Sequence, residues 1–242
     1  MMDQPHSTPG QSAVDACFHH LRHAIVSRRI LAHHRLPPER ELAAQLGVNR
    51  TTLRQALTRL EVAGLIVARQ GSGTVVRDFR HAAGPELVPE LLRQARDPLL
   101  RRQLVDDLLL MRRQMFAVVF ARLADGVSPL ARAHVAAAVD VLAELGAGAV
   151  DSAAFSEADL AVVAALLDAT ESPVLALCLN PVNDVVRRDP DLHGAMYADP
   201  RPHVQGWLEV CDWLAAPDPG GIAGLLAAVD ARDAATVDRL AG

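Results

Sequence analysis

The stretch GVNRTTLRQALTRLEVAGL, Gly47 to Leu65, admits one kind of element over most of its length. At about 100° per residue, with Arg50 at zero, Leu53, Ala56, Leu57 and Leu60 fall near 300°, 240°, 340° and 280°, a single apolar stripe. Arg50, Thr51, Arg54, Gln55 and Thr58 fall between about 0° and 140°. An amphipathic helix with a basic, hydroxyl-bearing outer face satisfies both sets. Asn49 is placed to cap it, because its side-chain oxygen can accept a free first-turn N–H, and Gly64 suits the left-handed residue that closes a helix. The predicted helix runs from Arg50 to about Ala63, with Arg50 and Arg54 one turn apart near its start.

Just upstream, LPPERELAAQLG predicts a second short helix, with Pro38 near its first position, Leu42 and Leu46 on one face and Gly47 as terminator. Two helices joined through Gly47-Val48-Asn49 make a helix-turn-helix, whose second helix reaches base edges in the major groove. Downstream, LIVARQGSGTVVRDF has two β-branched runs around Gln70-Gly71-Ser72-Gly73, a hairpin signal that makes the motif winged.

Charge is divided along the chain in the same way. Through Arg80 there are 11 Arg against 6 acidic residues, and beyond it 13 Arg against 23. With no lysine anywhere, every fixed cation is a guanidinium fork, suited to phosphate oxygens and to the O6/N7 edge of guanine. A basic helix face is by itself usually only solvated. Here cap, turn, preceding helix and wing occur together and in order, which points to double-stranded DNA as partner.

These residues carry a resemblance. PPERELAAQLGVNRTTLRQALTRLEVAGLI followed by RQGSGTVV is similar to the winged helix-turn-helix of GntR-type bacterial transcription regulators, over about Ala16 to Val76. The resemblance implies that Arg40 contacts backbone or base, that Arg50 and Arg54 read the major groove, and that Thr51 and Thr52 hold phosphates. It places Gln70 and Gly71 at the wing tip against the minor groove. Periodicity independently supports Arg50, Thr51 and Arg54, whereas Arg40 rests on the resemblance alone. Thr52, near 200° at the edge of the apolar stripe, has local hydrogen bonding as its alternative, and Arg59, near 180°, is left out of the site.

The first helix, about Val14 to Arg29, carries His19, His20 and His23, with His33 and His34 after it. No cysteine or carboxylate completes a metal set, so these histidines are expected to be solvated or to face phosphate. Residues 1–11 read as a flexible tail, without the apolar core of a signal peptide. The winged domain is expected over 12–78, a linker over 79–85 and an all-α effector-binding and dimerisation domain over 86–242. Helices in it are predicted at about 86–96, 98–124, 128–145, 152–169, 173–187, 200–216 and 219–230, with a short one at the end. No apolar run reaches the roughly 18 residues of a membrane span, and Cys17, Cys178 and Cys211 are too scattered for a disulfide framework or zinc knuckle, which fits the cytoplasm.

The helix order, with FSEADLAVVAALLDATESPVLALCLNPV, resembles the FadR branch of the GntR family. Many members of that branch hold a divalent metal with the Asp and His of a D-x-x-x-H helix and two later His. Asp159 matches the Asp, but Val163 stands at the His position and Ile222 at a later one, so the resemblance implies no metal and no cofactor. The residues agree, since His81, His134, His193 and His203 lie in separate segments. Asp159 is then expected as a solvated or capping carboxylate near a helix start.

LLLMRRQMFAVVF, LALCLNPV and MYADP extend the resemblance to metal-free, fatty-acyl-binding members, which are dimers that leave their operator when loaded, while AVDARDAATVDRLAG departs from their pattern. The implied effector is an apolar or amphipathic acid, a fatty acyl-CoA or fatty acid among them. In the family a basic residue at the place of Arg112 points into the effector cavity, and Met115, Val119, Val163 and Leu167 are candidates to line it. The alternatives are a surface arginine or interdomain ion pair for Arg112, and plain core for the apolar four.

No G-x-G-x-x-G after a strand, G-x-S-x-G, P-loop or H-E-x-x-H is present, so no enzyme is expected. The expected fold is mostly α, an N-terminal winged helix-turn-helix with a small β-hairpin followed by an all-α bundle. The expected function is a ligand-responsive regulator, a homodimer on a palindromic operator. The rivals are a helical scaffold whose winged module docks protein and a metal-independent regulator of a small organic acid.

Overall fold

A computed structural model of the chain describes residues 12–69, 73–148 and 151–240. The chain divides into two compact units, Met1–Gln94 and Ala95–Gly242. The expected tail, 1–11, lies outside the described residues, as do Gln70 and Gly71 of the wing.

In the first unit, α1 (Ala13–Val26) is capped by Ser12, whose side chain accepts from the Asp15 N–H. Helix α2 (Glu39–Leu46) starts after Pro38 and stops at Gly47, which takes the left-handed φ of 65°. Helix α3 (Arg50–Val62) begins where Asn49 Oδ1 accepts the Thr52 N–H at 2.8 Å, as the cap predicts. Leu53, Ala56, Leu57 and Leu60 of α3 are buried with Leu21 and Ile25 of α1 and Leu42 and Leu46 of α2, so one apolar stripe from each helix builds this core. Gly64 closes α3 at φ 71°, and a Cβ there would lie 2.0 Å from the Ala82 carbonyl oxygen, so both backbone and space demand glycine.

The hairpin is present. Strand β1 (Ile66–Arg69) pairs antiparallel with β2 (Gly73–Val76), in the register Ile66 to Val76. The segment before α2 adds to it: the His33 N–H donates to Val76 O at 2.8 Å and the Leu36 N–H to Thr74 O at 2.9 Å. The residues after the wing differ from a plain linker. Phe79–Ala82 form the short α4, Pro85–Leu87 a 3-10 turn, and Val88–Gln94 the helix α5, all within the first unit. Glu90 of α5, 5% exposed, accepts from Arg22 at 2.9 Å, Arg93 at 2.6 Å and Gln94 at 2.7 Å, and lies 3.1 Å from His23 Nδ1. That buried carboxylate clamps α5 to α1.

The second unit is all helix among its described residues. Helix α6 (Pro98–Leu123), α7 (Pro129–Gly146), α8 (Ser152–Ala169) and α9 (Pro173–Arg188) begin behind Asp97, Ser128, Asp151 and Ser172, each accepting a first-turn N–H. Two elements differ from expectation. Asp189-Pro190 restarts a short helix, α10 (Pro190–Met196), and after α11 (Arg201–Ala215) a single helix α12 (Ile222–Arg239) replaces the two pieces predicted at the end. Helix α6 packs against α12, α7 against α8 and α11, and the core gathers Phe116, Phe120, Trp207 and Trp213 in edge-to-face and stacked pairs with centroids 5.8 to 6.0 Å apart. No helix among the described residues is long and apolar enough to cross a membrane.

Candidate functional site

Burying the apolar stripe of α3 turns its other face outward, and with it Arg50, Thr51 and Arg54, all exposed. Among the described residues no carboxylate pairs with Arg50. Arg54 donates from Nε to Glu39 Oε2 at 2.6 Å, a pair whose side chains are 70% and 40% exposed. An exposed pair of this kind is worth about 0–1 kcal/mol, so a phosphate or a base edge can displace Glu39 at little cost. Arg40 is exposed at the start of α2, between Glu39 and Glu41.

Thr52 departs from the phosphate-holding role. It is 8% exposed, its N–H is taken by Asn49, and its side chain lies on the core side of α3. Its wheel position at the stripe's edge decides the matter for packing. Arg59 is held on the first unit itself: Nη1 pairs with Asp15 Oδ1, and the guanidinium lies 4.3 Å from the Phe18 ring centroid. Arg35 escaped the sequence reading. The non-local pairing of its segment with β2 carries it to the wing, where its Nε stands 3.1 Å from the Cβ that Gly73 lacks. A register with a strand forty residues away has no local signature.

In the second unit the residues expected to line an effector cavity lie mostly inside the packed helices. Val119, Val163 and Leu167 are at most 4% exposed, Met115 is half-buried, and all four belong to the packed interior of α6 and α8. Arg112 is buried, 3% exposed, with Nη1 3.4 Å from Asp233 Oδ1 and 3.8 Å from Met196 Sδ. Its counter-ion is therefore a carboxylate of α12 in the same unit, in place of either a ligand or an interdomain partner.

Asp159 is not a solvated cap. It is 1% exposed and accepts from Tyr197 Oη at 3.0 Å and Trp207 Nε1 at 2.6 Å, with His203 Nδ1 at 3.5 Å. Burial alone would raise its pKa, but His203 and the Arg232 and Arg112 guanidiniums outweigh that and hold the carboxyl well below the usual range. Burial, with the Asp159 charge beside it, pushes the Tyr197 phenol up. Residues 38 to 48 apart in sequence make this network, so spacing within one helix could not reveal it. Among the described residues no three His, Cys, Asp or Glu side chains gather where they could hold a metal ion.

Comparison with known proteins follows the same division. The profile "Bacterial regulatory proteins, gntR family" matches residues 14–76. The uncharacterized HTH-type transcriptional regulator Rv0494 of Mycobacterium tuberculosis is 35% identical over 189 residues, 78% of this chain and 74% of that one. The fatty acid metabolism regulator protein of Yersinia pestis is 33% identical over 153 residues, 63% of this chain and 60% of its own length. Among solved structures, Lar of Listeria monocytogenes aligns over 95% of this chain and 97% of that one with a TM-score of 0.54 and 14% identity, a likeness of fold. Both sequence relatives are named as regulators. With a winged helix-turn-helix in place and more than two thirds of a regulator's length matched at 35% identity, the chain belongs to the GntR family of transcription regulators.

Proposed function

We propose that the protein is a ligand-responsive regulator that binds a palindromic operator in cytoplasmic DNA as a homodimer and leaves it when the second unit takes up an apolar acid. The observation that carries the DNA part is the exposed Arg50, Thr51 and Arg54 at the N-terminal half of α3, the part of a recognition helix that enters the major groove. Arg40 and the wing add contacts, with Gln70 and Gly71 proposed at its tip. One such helix reads only a few base pairs, and two-fold pairing sets two of them about one helical turn apart. Exposed Leu110, Met111 and Val118, within about 100° on α6, give that pairing an apolar surface. The acyl character of the effector rests on the Yersinia relative, a fatty acid metabolism regulator.

The test is selection from a randomised duplex pool, followed by footprinting and by titration of the bound complex with acyl-CoAs, fatty acids and small dicarboxylates. A palindromic site protected on two half-sites and released by an acyl ligand is expected. Recovery of no preferred sequence overturns the operator reading, and release by a small polar acid alone overturns the acyl one.

A further inference from the structure

Burial of a guanidinium demands acceptors for its donors, and Arg232 on α12 does not have them. It is 9% exposed, its Nε is buried without a partner, and among the described residues its side chain makes no hydrogen bond or ion pair. The neighbouring Asp233 is engaged by Arg112 and Arg113. Asp159 offsets the charge from a distance, but its oxygens are occupied by Tyr197 and Trp207. What Arg232 has is the Trp207 ring, 5.8 Å from its Cζ, and the bare backbone of Gly206, where a Cβ would come within 3.3 Å of Nη1.

The guanidinium borders a cleft of about 290 Å³ between α11 and α12. Its apolar lining is Met196, Pro202, Ala228, Ala231 and Ala235. The other charged groups around it are held elsewhere: Asp199 by Arg201 at 2.9 Å, Glu209 by Gln205 at 3.0 Å, and Arg239 by the Ala195 carbonyl at 3.0 Å. His203 gives its Nε2–H to Met196 O at 3.1 Å. The unmet hydrogen-bonding capacity at the cleft is thus that of a planar donor fork beside an apolar wall, together with His203 Nδ1, buried without a hydrogen bond and 3.5 Å from Asp159 Oδ1.

We propose that this cleft is a binding site for a monocarboxylate with a compact apolar body, its carboxylate taken by Arg232 and its body laid on the alanines of α12. The fork geometry selects a planar carboxylate, and a volume near the low end of the roughly 300–1,000 Å³ of small-molecule sites selects a ligand of moderate length. Small side chains at positions 206, 228, 231 and 235 keep the cleft open, and each larger residue there would fill it. The inference rests on reading the second unit as the effector-binding part, and it moves the anchor from Arg112, which Asp233 satisfies, to Arg232.

Calorimetric titration of the full chain with sodium decanoate, sodium acetate and inorganic phosphate tests it. Saturable binding of one decanoate per chain is expected, with acetate and phosphate at least tenfold weaker. Arg232→Met should weaken decanoate at least tenfold. Because that substitution also alters a buried charge, Ala235→Leu serves beside it: it leaves Arg232 in place, occupies the cleft, and should give the same loss at unchanged helix content. Wild-type decanoate affinity in folded Ala235→Leu, or phosphate bound as well as decanoate, overturns the site. A chain that binds operator DNA but no decanoate overturns this inference alone. Decanoate binding in a chain that selects no DNA sequence leaves the cleft standing and removes the regulator reading.

Discussion

Arg50 and Arg54 stand one turn apart on α3, and neither is needed by the core beneath them. Replacing either by Ala should therefore cost about 1–3 kcal/mol of specific DNA binding, the value of a lost bidentate base contact, with unchanged circular dichroism. Wild-type affinity in both variants would remove α3 as the reading helix. Asp159 is the opposite case, a residue whose loss the core would feel. Asp159→Ala strands the Tyr197 hydroxyl and the Trp207 N–H and removes the charge that offsets buried Arg232, and should destabilise the protein by about 3–5 kcal/mol in urea unfolding. A loss under about 1 kcal/mol would mean that the network contributes nothing beyond its packing. The two arginines were legible in sequence because helical periodicity is local. The carboxylate was not, because its partners arrive from α10 and α11. For the same reason Arg112 could be marked as a candidate inward-pointing cation, while its partner, Asp233, could not be read.

At the scale of elements, the helix-turn-helix was legible almost to the residue, since caps and terminators are chemical: Asn49 accepts a first-turn N–H and Gly47 and Gly64 adopt left-handed φ. Gly64→Ala forces a strained φ and a collision with Ala82 O, and should lower the melting temperature of the first unit by several degrees. An unchanged melting temperature would show that α4 can move away. Helix α5 lies within the first unit, and the sequence gives no hint of that, because nothing local to Glu90 shows that its carboxylate will be buried against α1. For Glu90 burial acts to raise the pKa, yet hydrogen bonds from Gln94 and His23 and the charges of Arg93 and Arg22 lower it overall. A folded pKa below the unfolded one means stability that is full above about pH 4.3 and lost as the pH falls through the folded value. Unfolding of wild type and Glu90→Gln should therefore differ most near neutrality and converge in acid, and a gap that widens on acidification would reverse this assignment.

For the whole molecule, the division of charge is the main physical fact. The chain is net −5, yet its fixed cations dominate up to Arg80 and its carboxylates dominate after it, so attraction for DNA is confined to the first unit. Fluorescence anisotropy of the full chain on its selected operator, and on a scrambled duplex, at about 50 and 200 mM salt, tests the central claim most directly. Wild type should prefer the operator, both affinities should fall steeply with salt, and Arg50→Ala/Arg54→Ala should bind operator and scrambled duplex alike. Operator preference undiminished in that double variant would contradict that claim.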